Sequence, residues 1–256
     1  MTPASARPSL QTAPPGSQPL RVVSYNIRKA VGTDRRRDPD RVLRVLAEVG
    51  ADIALLQEAD LRLPPRRPVL DPVAIKAATG MAPVHFAKGV AMGWHGNALL
   101  LAPHIKLQAL ALHDLPGLEP RGCLVAEVQR GDQHLRVVGV HLGLLRGSRR
   151  QQLTALLRHL GQDPLPTLIA GDFNERSLEV GLGRLSRQFT ILSGGPTYHS
   201  RWPVFALDRM AVSEGIQPLN IIAHRSADAD TASDHLPLVG DFTLSAAQTR
   251  SAGGAP

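Results

Sequence analysis

The chain contains ten short runs rich in valine, isoleucine, leucine and alanine, and this pattern limits the folds open to it more than any other feature. The runs are 20–27, 52–58, 97–102, 106–112, 123–128, 135–142, 167–173, 205–212, 219–224 and 236–242. Their length and branched side chains are typical of strands that are buried on at least one face. Several runs follow one another with no helix between them, which does not fit a doubly wound parallel sheet. We therefore expect an α/β fold in which two sheets pack face to face with helices outside.

Three stretches have the pattern of helices that cover such sheets. They are residues 38–50, 70–80 and 148–161. The first has Asp38 as an N-cap ahead of a proline and ends in Gly50, the usual signals of a helix start and stop. In the third, Ser148 and Gln151 have the spacing of a capping box.

Composition sets the expected limits of the folded part. Residues 1–19 are rich in proline, alanine and serine and predict a disordered lead, as residues 245–256 predict a disordered tail. Residues 20–244 are expected to form one domain, because no linker-like stretch divides them. No apolar run approaches the roughly 20 residues of a membrane span, and the N-terminus lacks the apolar core of a secretory signal. We expect a cytoplasmic monomer.

The cysteine and charge content narrow the function further. Cys123 is the only cysteine, so neither an intrachain disulfide nor a cysteine metal cluster can form, and a small buried hydrophobe is its expected role. The net charge is +7, nearly all of it from arginine, which favours acidic partners such as nucleic acid or anionic lipid. Aromatic residues make up only 4%, which argues against a stacking platform for single strands.

Six of the apolar segments place an acid, an amide or an imidazole at a strand terminus. These residues are Asn26, Glu58, His141, Asp172 with Asn174, Asp208, and Asp234 with His235. Any one of them is explained well enough as a plain turn or a satisfied polar group. All six together would be a coincidence, and in a two-sheet sandwich such termini meet along one rim, where ligands bind.

The residue types at this rim indicate a reaction. Carboxylates and amides without cysteines make an oxygen-rich site, which suits Mg²⁺ or Mn²⁺ rather than Zn²⁺. Histidines beside them can donate to an anionic oxygen or carry protons near neutral pH. A divalent ion, an activated water and a cationic donor are the parts needed to hydrolyse a phosphate ester.

The same residues lie in motifs that resemble a known family. The motifs are SYNIR, LLQEAD, GNALL, GVHLG, GDFN, ALDRM and SDHLPL, in that order along the chain. They resemble the endonuclease/exonuclease/phosphatase superfamily, which includes deoxyribonuclease I, apurinic endonucleases, neutral sphingomyelinases and inositol polyphosphate 5-phosphatases. The resemblance covers the chain from Arg21 to about Gly240. It implies a four-layered α/β/β/α sandwich of two mostly antiparallel sheets flanked by helices.

The resemblance also implies roles for the residues of a metal and water site. Glu58 matches the main metal carboxylate, with Asn26 beside it and Asp234 close enough to touch the ion. Asp172 resembles the residue that orients or deprotonates the attacking water. Asn174 resembles its partner toward the phosphate. Whether one ion or two are bound stays open.

Two histidines resemble the remaining catalytic groups. His235 matches the donor that polarises the phosphoryl oxygen, and Asp208 would hold its imidazole. His141 matches the second histidine, a candidate acid for the leaving oxygen. In deoxyribonuclease I a carboxylate on a neighbouring strand orients the counterpart of His141. The matching stretch here offers only His85 and Lys88, so what orients His141 stays open.

Three further residues are candidates for contact with the substrate. Asn97, in the GNALL motif, is expected near the phosphate. Arg28 follows Asn26 closely and is either a phosphate contact or a solvated loop charge. Arg201 belongs to the stretch TYHSRWP, which we expect to line the substrate entrance, although Trp202 in it also fits a core position.

Three functions from different classes fit these features. The lead hypothesis is a metal-dependent nuclease, because the positive charge favours a polyanion. The alternative is a phosphodiesterase or phosphatase that acts on phospholipid head groups or small phosphate esters. The third is a non-catalytic binding module, which is disfavoured because every position of the catalytic set is present.

Overall fold

A computed structural model describes residues 18–86, 91–161 and 163–245. The segments expected to be disordered, 1–19 and 245–256, lie outside the described residues except for residues 18, 19 and 245. Lys88 is also outside the described residues. The strands are β1 Leu20–Asn26, β2 Ile53–Gln57, β3 Ala82–Pro83, β4 Ala98–Leu101, β5 Ile105–Leu115, β6 Arg121–Arg130, β7 Gln133–His141, β8 Thr167–Asp172, β9 Thr190–Leu192, β10 Asp208–Val212, β11 Ile216–Ala223 and β12 Leu238–Leu244. The helices are α1 Pro39–Val49, α2 Pro72–Thr79, α3 Arg146–Leu160, α4 Leu178–Leu182 and α5 Ala229–Ala232.

The strands form two six-stranded sheets, as the sequence predicts. The first sheet has the order β11-β12-β1-β2-β4-β3 and the second β5-β6-β7-β8-β10-β9. Each is mostly antiparallel, with a single parallel pair, β1 with β2 in the first and β7 with β8 in the second. All ten apolar runs contain a strand. The sequence missed only β3 and β9, which have two and three residues and so offer little alternation to recognise.

Alternation along the strands creates four layers. In β7, Leu135 and Val137 point into the core between the sheets, whereas Val138 and Val140 point toward α3 and α4. In β1, Leu20 and Val22 likewise face the second sheet, while Val23 and Tyr25 face α1 and α2. Because side chains alternate between the two faces of a strand, a continuous apolar run serves both cores. The α/β/β/α sandwich is therefore confirmed.

The cap predicted for α1 is confirmed, and α2 lies within the range 70–80 predicted for it. The Asp38 side chain caps α1 by accepting from the backbone N–H of Arg41, and Asp71 caps α2 in the same way. The predicted capping box at Ser148 is wrong. Helix α3 starts earlier because the Leu145 carbonyl accepts the Arg149 N–H, at 3.0 Å, which leaves Ser148 buried inside the helix.

One expectation from the cysteine content is confirmed here. Cys123 is fully buried in the core between β6 and α3, as a small hydrophobe would be. In the described residues, no helix combines the length and the apolar character that crossing a membrane requires.

Candidate active site

Three neighbouring strands of the second sheet bring their polar ends into one row. His141 of β7 lies opposite Asp172 of β8, and Asp208 of β10 lies opposite Asp172 on the other side. Neighbouring strands are roughly 5 Å apart, so this register alone places an imidazole and two carboxylates side by side. His141 Nε2 lies 3.4 Å from Asp172 Oδ2.

Gly171 is the reason β8 can run so close to β7. A Cβ atom at this position would lie 1.9 Å from the carbonyl oxygen of Val140, far inside van der Waals contact. A glycine within a strand often marks such a close backbone approach. The Gly-Asp pair that ends β8 therefore positions Asp172 and is more than a turn.

The first sheet contributes its residues from the ends of β1 and β2. Asn26 ends β1, and its Nδ2 donates to Asp172 Oδ2 at 3.1 Å, which joins the two sheets at the site. Glu58 directly follows β2 and has a positive φ of 55°. This left-handed conformation is uncommon for a residue with a side chain, and here it ends the strand and turns the carboxylate into the space between the sheets.

These residues face a cleft of about 520 Å³, a size typical of small-molecule sites. The sequence-predicted residues that line it are Asn26, Glu58, His141, Asp172, Asn174, Asp234 and His235. Eight residues other than glycine have a positive φ in the described chain, and five of them line this cleft. Those five are Lys29, Glu58, Arg66, His95 and Asn174. Since such strained backbone accumulates at functional sites, this clustering supports the same location.

His235 and Asp208 form a buried pair at the floor of the cleft. His235 Nδ1 lies 2.8 Å from Asp208 Oδ2, which also accepts a hydrogen bond from Thr197 Oγ1. Burial by itself would lower the pKa of His235, but the charges of Asp208 and Asp172 outweigh it and raise the pKa to about 10. The imidazole is therefore protonated at neutral pH, with Nε2 directed toward the cleft side, 3.7 Å from Asp172 Oδ2.

His141 has the opposite charge state. Burial lowers its pKa to about 3, against the attraction of Asp172 and with further lowering by Arg121 and His235. A neutral imidazole can still donate one N–H to an anionic oxygen. It fits that task better than the role of proton donor to the leaving oxygen that the sequence suggests. Asp172, whose Oδ2 lies 3.4 Å from His141 Nε2, is the carboxylate placed to orient the His141 imidazole.

The donor set at the open end of the cleft fits a hard divalent cation. Glu58, Asp234 and Asn26 offer carboxylate and amide oxygens, the ligands that Mg²⁺ and Mn²⁺ prefer. Cationic side chains already lie against these carboxylates. Lys29 Nζ contacts Glu58 Oε2, and Arg28 Nε lies 3.2 Å from Asp234 Oδ2.

A second group also has the spacing of a metal site. Asp172, Asp208 and His235 each place one ligand atom within 4.8 Å of the others. However, His235 Nδ1 already hydrogen-bonds Asp208, and the raised pKa gives its ring a positive charge. Since Nδ1 is engaged by Asp208 and a protonated ring has no free lone pair, Glu58, Asp234 and Asn26 fit a metal ion better than this trio.

None of the three predicted substrate contacts is among the residues that line the cleft, and Arg28 instead pairs with the lining residue Asp234. Asn97 is buried, and its Nδ2 donates to the carbonyl oxygens of Trp94 and Gly122, so it holds the loop before β4 in place. Arg201 is exposed in the loop before β10. Trp202 beside it is 77% exposed, so the core position is wrong for that residue.

Sequence reasoning missed several residues of the site. Arg121, at the start of β6, lines the cleft, and its Nε is buried without a hydrogen-bond partner among the described residues. Tyr198 also lines the cleft, with its ring 5.1 Å from that of His235. Asp60 accepts from the backbone N–H groups of Met92 and Gly93 and so fixes one wall. An arginine at a strand start has no distinctive signal in the sequence. Asp60 could have been found, because it is the second acid of LLQEAD and lies two positions after Glu58.

The comparison with family models decides the assignment. Residues 23–235 match the model of the Endonuclease/Exonuclease/phosphatase family. The chain belongs to this family. Members of the endonuclease/exonuclease/phosphatase family are phosphoester hydrolases that depend on divalent metals, so the chain is a phosphoester hydrolase. A search of curated proteins found no match.

Solved structures of the endonuclease/exonuclease/phosphatase family share the fold at low sequence identity. A family protein from Beutenbergia cavernae has a TM-score of 0.68 and 20% identity, over 90% of this chain and 73% of that one. A mannosyl-6-phosphatase from Bacteroides thetaiotaomicron has a TM-score of 0.67 and 17% identity, over 88% and 100% of the two chains. TDP2 from D. rerio, complexed with a single-strand DNA product, has a TM-score of 0.64 and 19% identity, over 89% and 100%. At these identities the likeness establishes the fold alone.

Proposed function

We propose that the chain hydrolyses phosphodiester bonds with a divalent metal ion and a water molecule activated at Asp172. The observation that carries the proposal is the arrangement around Asp172, whose carboxylate faces the same cleft as the protonated His235 and the oxygen ligands Glu58 and Asp234. A base, a cationic donor and a metal position in one cleft are the parts that hydrolysis of a phosphate ester requires.

The chain's own residues account for the proton and charge movements. Asp172 takes a proton from water as the water oxygen forms a bond to phosphorus. The backbone N–H of Asn174 and the Nδ2 of Asn26 donate to the Asp172 carboxylate at 2.9 and 3.1 Å and hold it in position. His235, kept protonated by Asp208, donates Nε2–H to a phosphoryl oxygen whose negative charge grows in the transition state. The leaving oxygen departs as its bond to phosphorus breaks and takes up a proton from solvent water, and Asp172 returns its own proton to solvent after the product leaves.

Glu58, Asn26 and Asp234 are the residues proposed to hold the metal ion. When bound, Mg²⁺ or Mn²⁺ neutralises negative charge on the phosphate and favours water as a nucleophile. Lys29, which contacts Glu58, would turn away from Glu58 when the ion binds and would then face the phosphate of the substrate. The number of ions is not fixed by these ligands.

The two substrate classes expected from the sequence are nucleic acid, and phospholipid head groups or small phosphate esters. Nucleic acid is the lead from the sequence, because the net charge is +7 and Lys29, Arg66 and Arg121 line the cleft. Several arginine contacts to phosphates would support such binding. Phospholipid is the second candidate, and a specific observation favours it. The loops around the cleft expose leucine, valine and tryptophan side chains, which a lipid surface binds and a phosphate backbone does not.

Turnover tests this proposal against a binding module that keeps the fold without chemistry. The full-length protein should hydrolyse bis-p-nitrophenyl phosphate with Mg²⁺ or Mn²⁺. Plasmid, single-stranded DNA, RNA and phospholipid vesicles, assayed side by side under the same conditions, would then assign the substrate. If none of these substrates is hydrolysed at any pH, the catalytic proposal is wrong and the chain is a non-catalytic binding module. We further propose a cytoplasmic monomer, and the free, buried state of Cys123 fits the reducing cytoplasm.

A further inference from the structure

Large apolar side chains that are exposed to solvent are concentrated around the mouth of the cleft. In the described part of the chain eleven such side chains are exposed, and eight of them lie on segments that line the cleft or adjoin the strand ends that form it. These eight, here called the cleft rim, are Leu63, Leu118, Leu144, Leu145, Leu178, Val180, Trp202 and Val204. Single exposed apolar residues need no explanation, whereas a group on one face marks a binding surface.

The rim residues belong to the same segments as the cleft lining. Leu144 itself lines the cleft, Leu63 follows the lining residue Arg62, and Leu118 precedes the lining residue Glu119. The other five follow β7 or β8 or precede β10, the three strands whose polar ends form the row at the site. The rim therefore lies on the segments that border the cleft.

Exposed arginines accompany these apolar side chains in four separate segments. The pairs are Arg62 with Leu63, Arg146 with Leu145, Arg176 with Leu178, and Arg201 with Trp202. At a bilayer surface, apolar side chains enter the boundary between head groups and acyl chains while basic residues bind the lipid phosphates. The four pairs, which lie on different segments, each combine an apolar side chain for the acyl boundary with an arginine for the lipid phosphates.

We propose that the cleft rim is a docking surface for a bilayer that contains anionic phospholipids. With the rim on the bilayer, the cleft opens toward the head groups. The proposal deepens the phospholipid candidate, so its catalytic consequence rests on the proposed function, although binding to the bilayer does not.

The rim fits a lipid surface better than nucleic acid. Duplex DNA offers mainly phosphates to loops at its surface, which leaves exposed leucine and valine side chains without partners. Single strands are bound by stacking on aromatic side chains, and Trp202 is the only aromatic residue of the eight. Arginine would serve either ligand, so the apolar residues make the distinction.

Vesicle flotation of the full-length protein tests the docking surface. Divalent ions are chelated so that no lipid is consumed, and the vesicles contain phosphatidylcholine alone or phosphatidylcholine mixed with phosphatidylserine. The wild type should float with the mixed vesicles. The double variant Leu145→Ser/Trp202→Ser should lose binding by roughly tenfold or more, because each side chain inserted by the wild type buries apolar area. Arg146→Gln/Arg176→Gln should weaken binding to the mixed vesicles.

The matched control removes apolar side chains of similar exposure from other faces. Val73 is 74% exposed on α2 and Leu107 is 40% exposed on β5, compared with 77% for Trp202 and 53% for Leu145. Val73→Ser/Leu107→Ser should float like the wild type. Trp202 supplies a direct probe, because its fluorescence should shift to shorter wavelength on the mixed vesicles and the shift should be absent in Trp202→Phe.

Three outcomes would overturn the docking surface. They are no flotation of the wild type, equal losses in the rim and control variants, and rim variants that weaken DNA binding but not vesicle binding. Turnover of bis-p-nitrophenyl phosphate by the wild type tests the proposed function separately. Vesicle binding without turnover would refute the catalytic proposal and support the docking surface. Turnover without vesicle binding would support the catalytic proposal and refute the docking surface.

Discussion

His235 Nδ1 lies 2.8 Å from Asp208 Oδ2, and Asp208 is fully buried behind the imidazole with no exposure of its own to the cleft. Asp208 begins β10, whereas His235 lies 27 positions later in the loop before β12, yet Asp208 acts on the cleft only through His235. This geometry makes Asp208 a positioning residue that fixes the ring and keeps it protonated.

The pair should therefore behave as one unit in catalysis. His235→Ala and Asp208→Ala should each lower kcat/KM on the order of a hundredfold or more, and the double variant should cost little beyond either single one. Steady-state kinetics on bis-p-nitrophenyl phosphate would measure this. His104 pairs with Asp52 at 3.1 Å on another edge of the fold, so His104→Ala is the control and should leave kcat/KM unchanged. Additive losses would mean that the two residues act separately.

Metal affinity should depend on Glu58. Replacing this carboxylate with an amide in Glu58→Gln removes a negative ligand but keeps its shape, so the Mg²⁺ concentration for half-maximal activity should rise by roughly tenfold or more. The thermal midpoint without metal should change little, since Glu58 is partly exposed. Glu48→Gln, at a carboxylate that faces His224, is the control. An unchanged Mg²⁺ requirement in Glu58→Gln would contradict the ligand assignment.

A buried ion pair should control stability in acid. Arg149 Nη2 donates to Glu175 Oε2 at 2.8 Å, which ties α3 to the segment after Asn174. Burial works to raise the pKa of Glu175, but hydrogen bonds from Arg149 and from the backbone N–H of Ser177 outweigh it, and the pKa lies below the usual range. The ionised carboxylate therefore stabilises the fold above the unfolded-state pKa of about 4.3, and this contribution is lost as the pH falls through the folded-state pKa.

The measurement is Tm against pH for the wild type and Glu175→Gln. At neutral pH the free energy of unfolding of the variant should be lower than that of the wild type by about 3–5 kcal/mol, the cost of leaving the buried charge of Arg149 without its partner. Its Tm should then fall less steeply than that of the wild type once the pH drops below about 4. Parallel curves for the two proteins over the acid range would show that Glu175 does not titrate as described.

Cys123 should report on unfolding. Burial raises the pKa of its thiol to about 12, so almost none is ionised at pH 8. Because the thiolate is the nucleophile, alkylation by iodoacetamide should be negligible in the native protein and rapid in denaturant. Fast labelling of the native protein at pH 8 would contradict the buried position.

The sequence reached the strands and the polar residues at their ends, because both follow from local pattern. Asp172 and His235 could be identified from the motifs GDFN and SDHLPL that contain them. The fate of Asn97 could not, because it depends on the carbonyl oxygen of Gly122, which is distant in the chain. The charge states of His141 and His235 were equally out of reach, since they come from burial and from carboxylates on neighbouring strands. The start of α3 was missed because a serine with capping-box spacing lies inside the helix.

The most direct test of the central claim is the hydrolysis of bis-p-nitrophenyl phosphate by wild type and Asp172→Asn, each with Mg²⁺ and with excess chelator. Asp132, exposed in the turn between β6 and β7, supplies the control Asp132→Asn. We predict turnover by the wild type and the control only with Mg²⁺, and a loss on the order of a hundredfold or more for Asp172→Asn because the base is gone. Full activity in chelator, or wild-type activity in Asp172→Asn, would contradict metal-dependent attack by a water activated at Asp172.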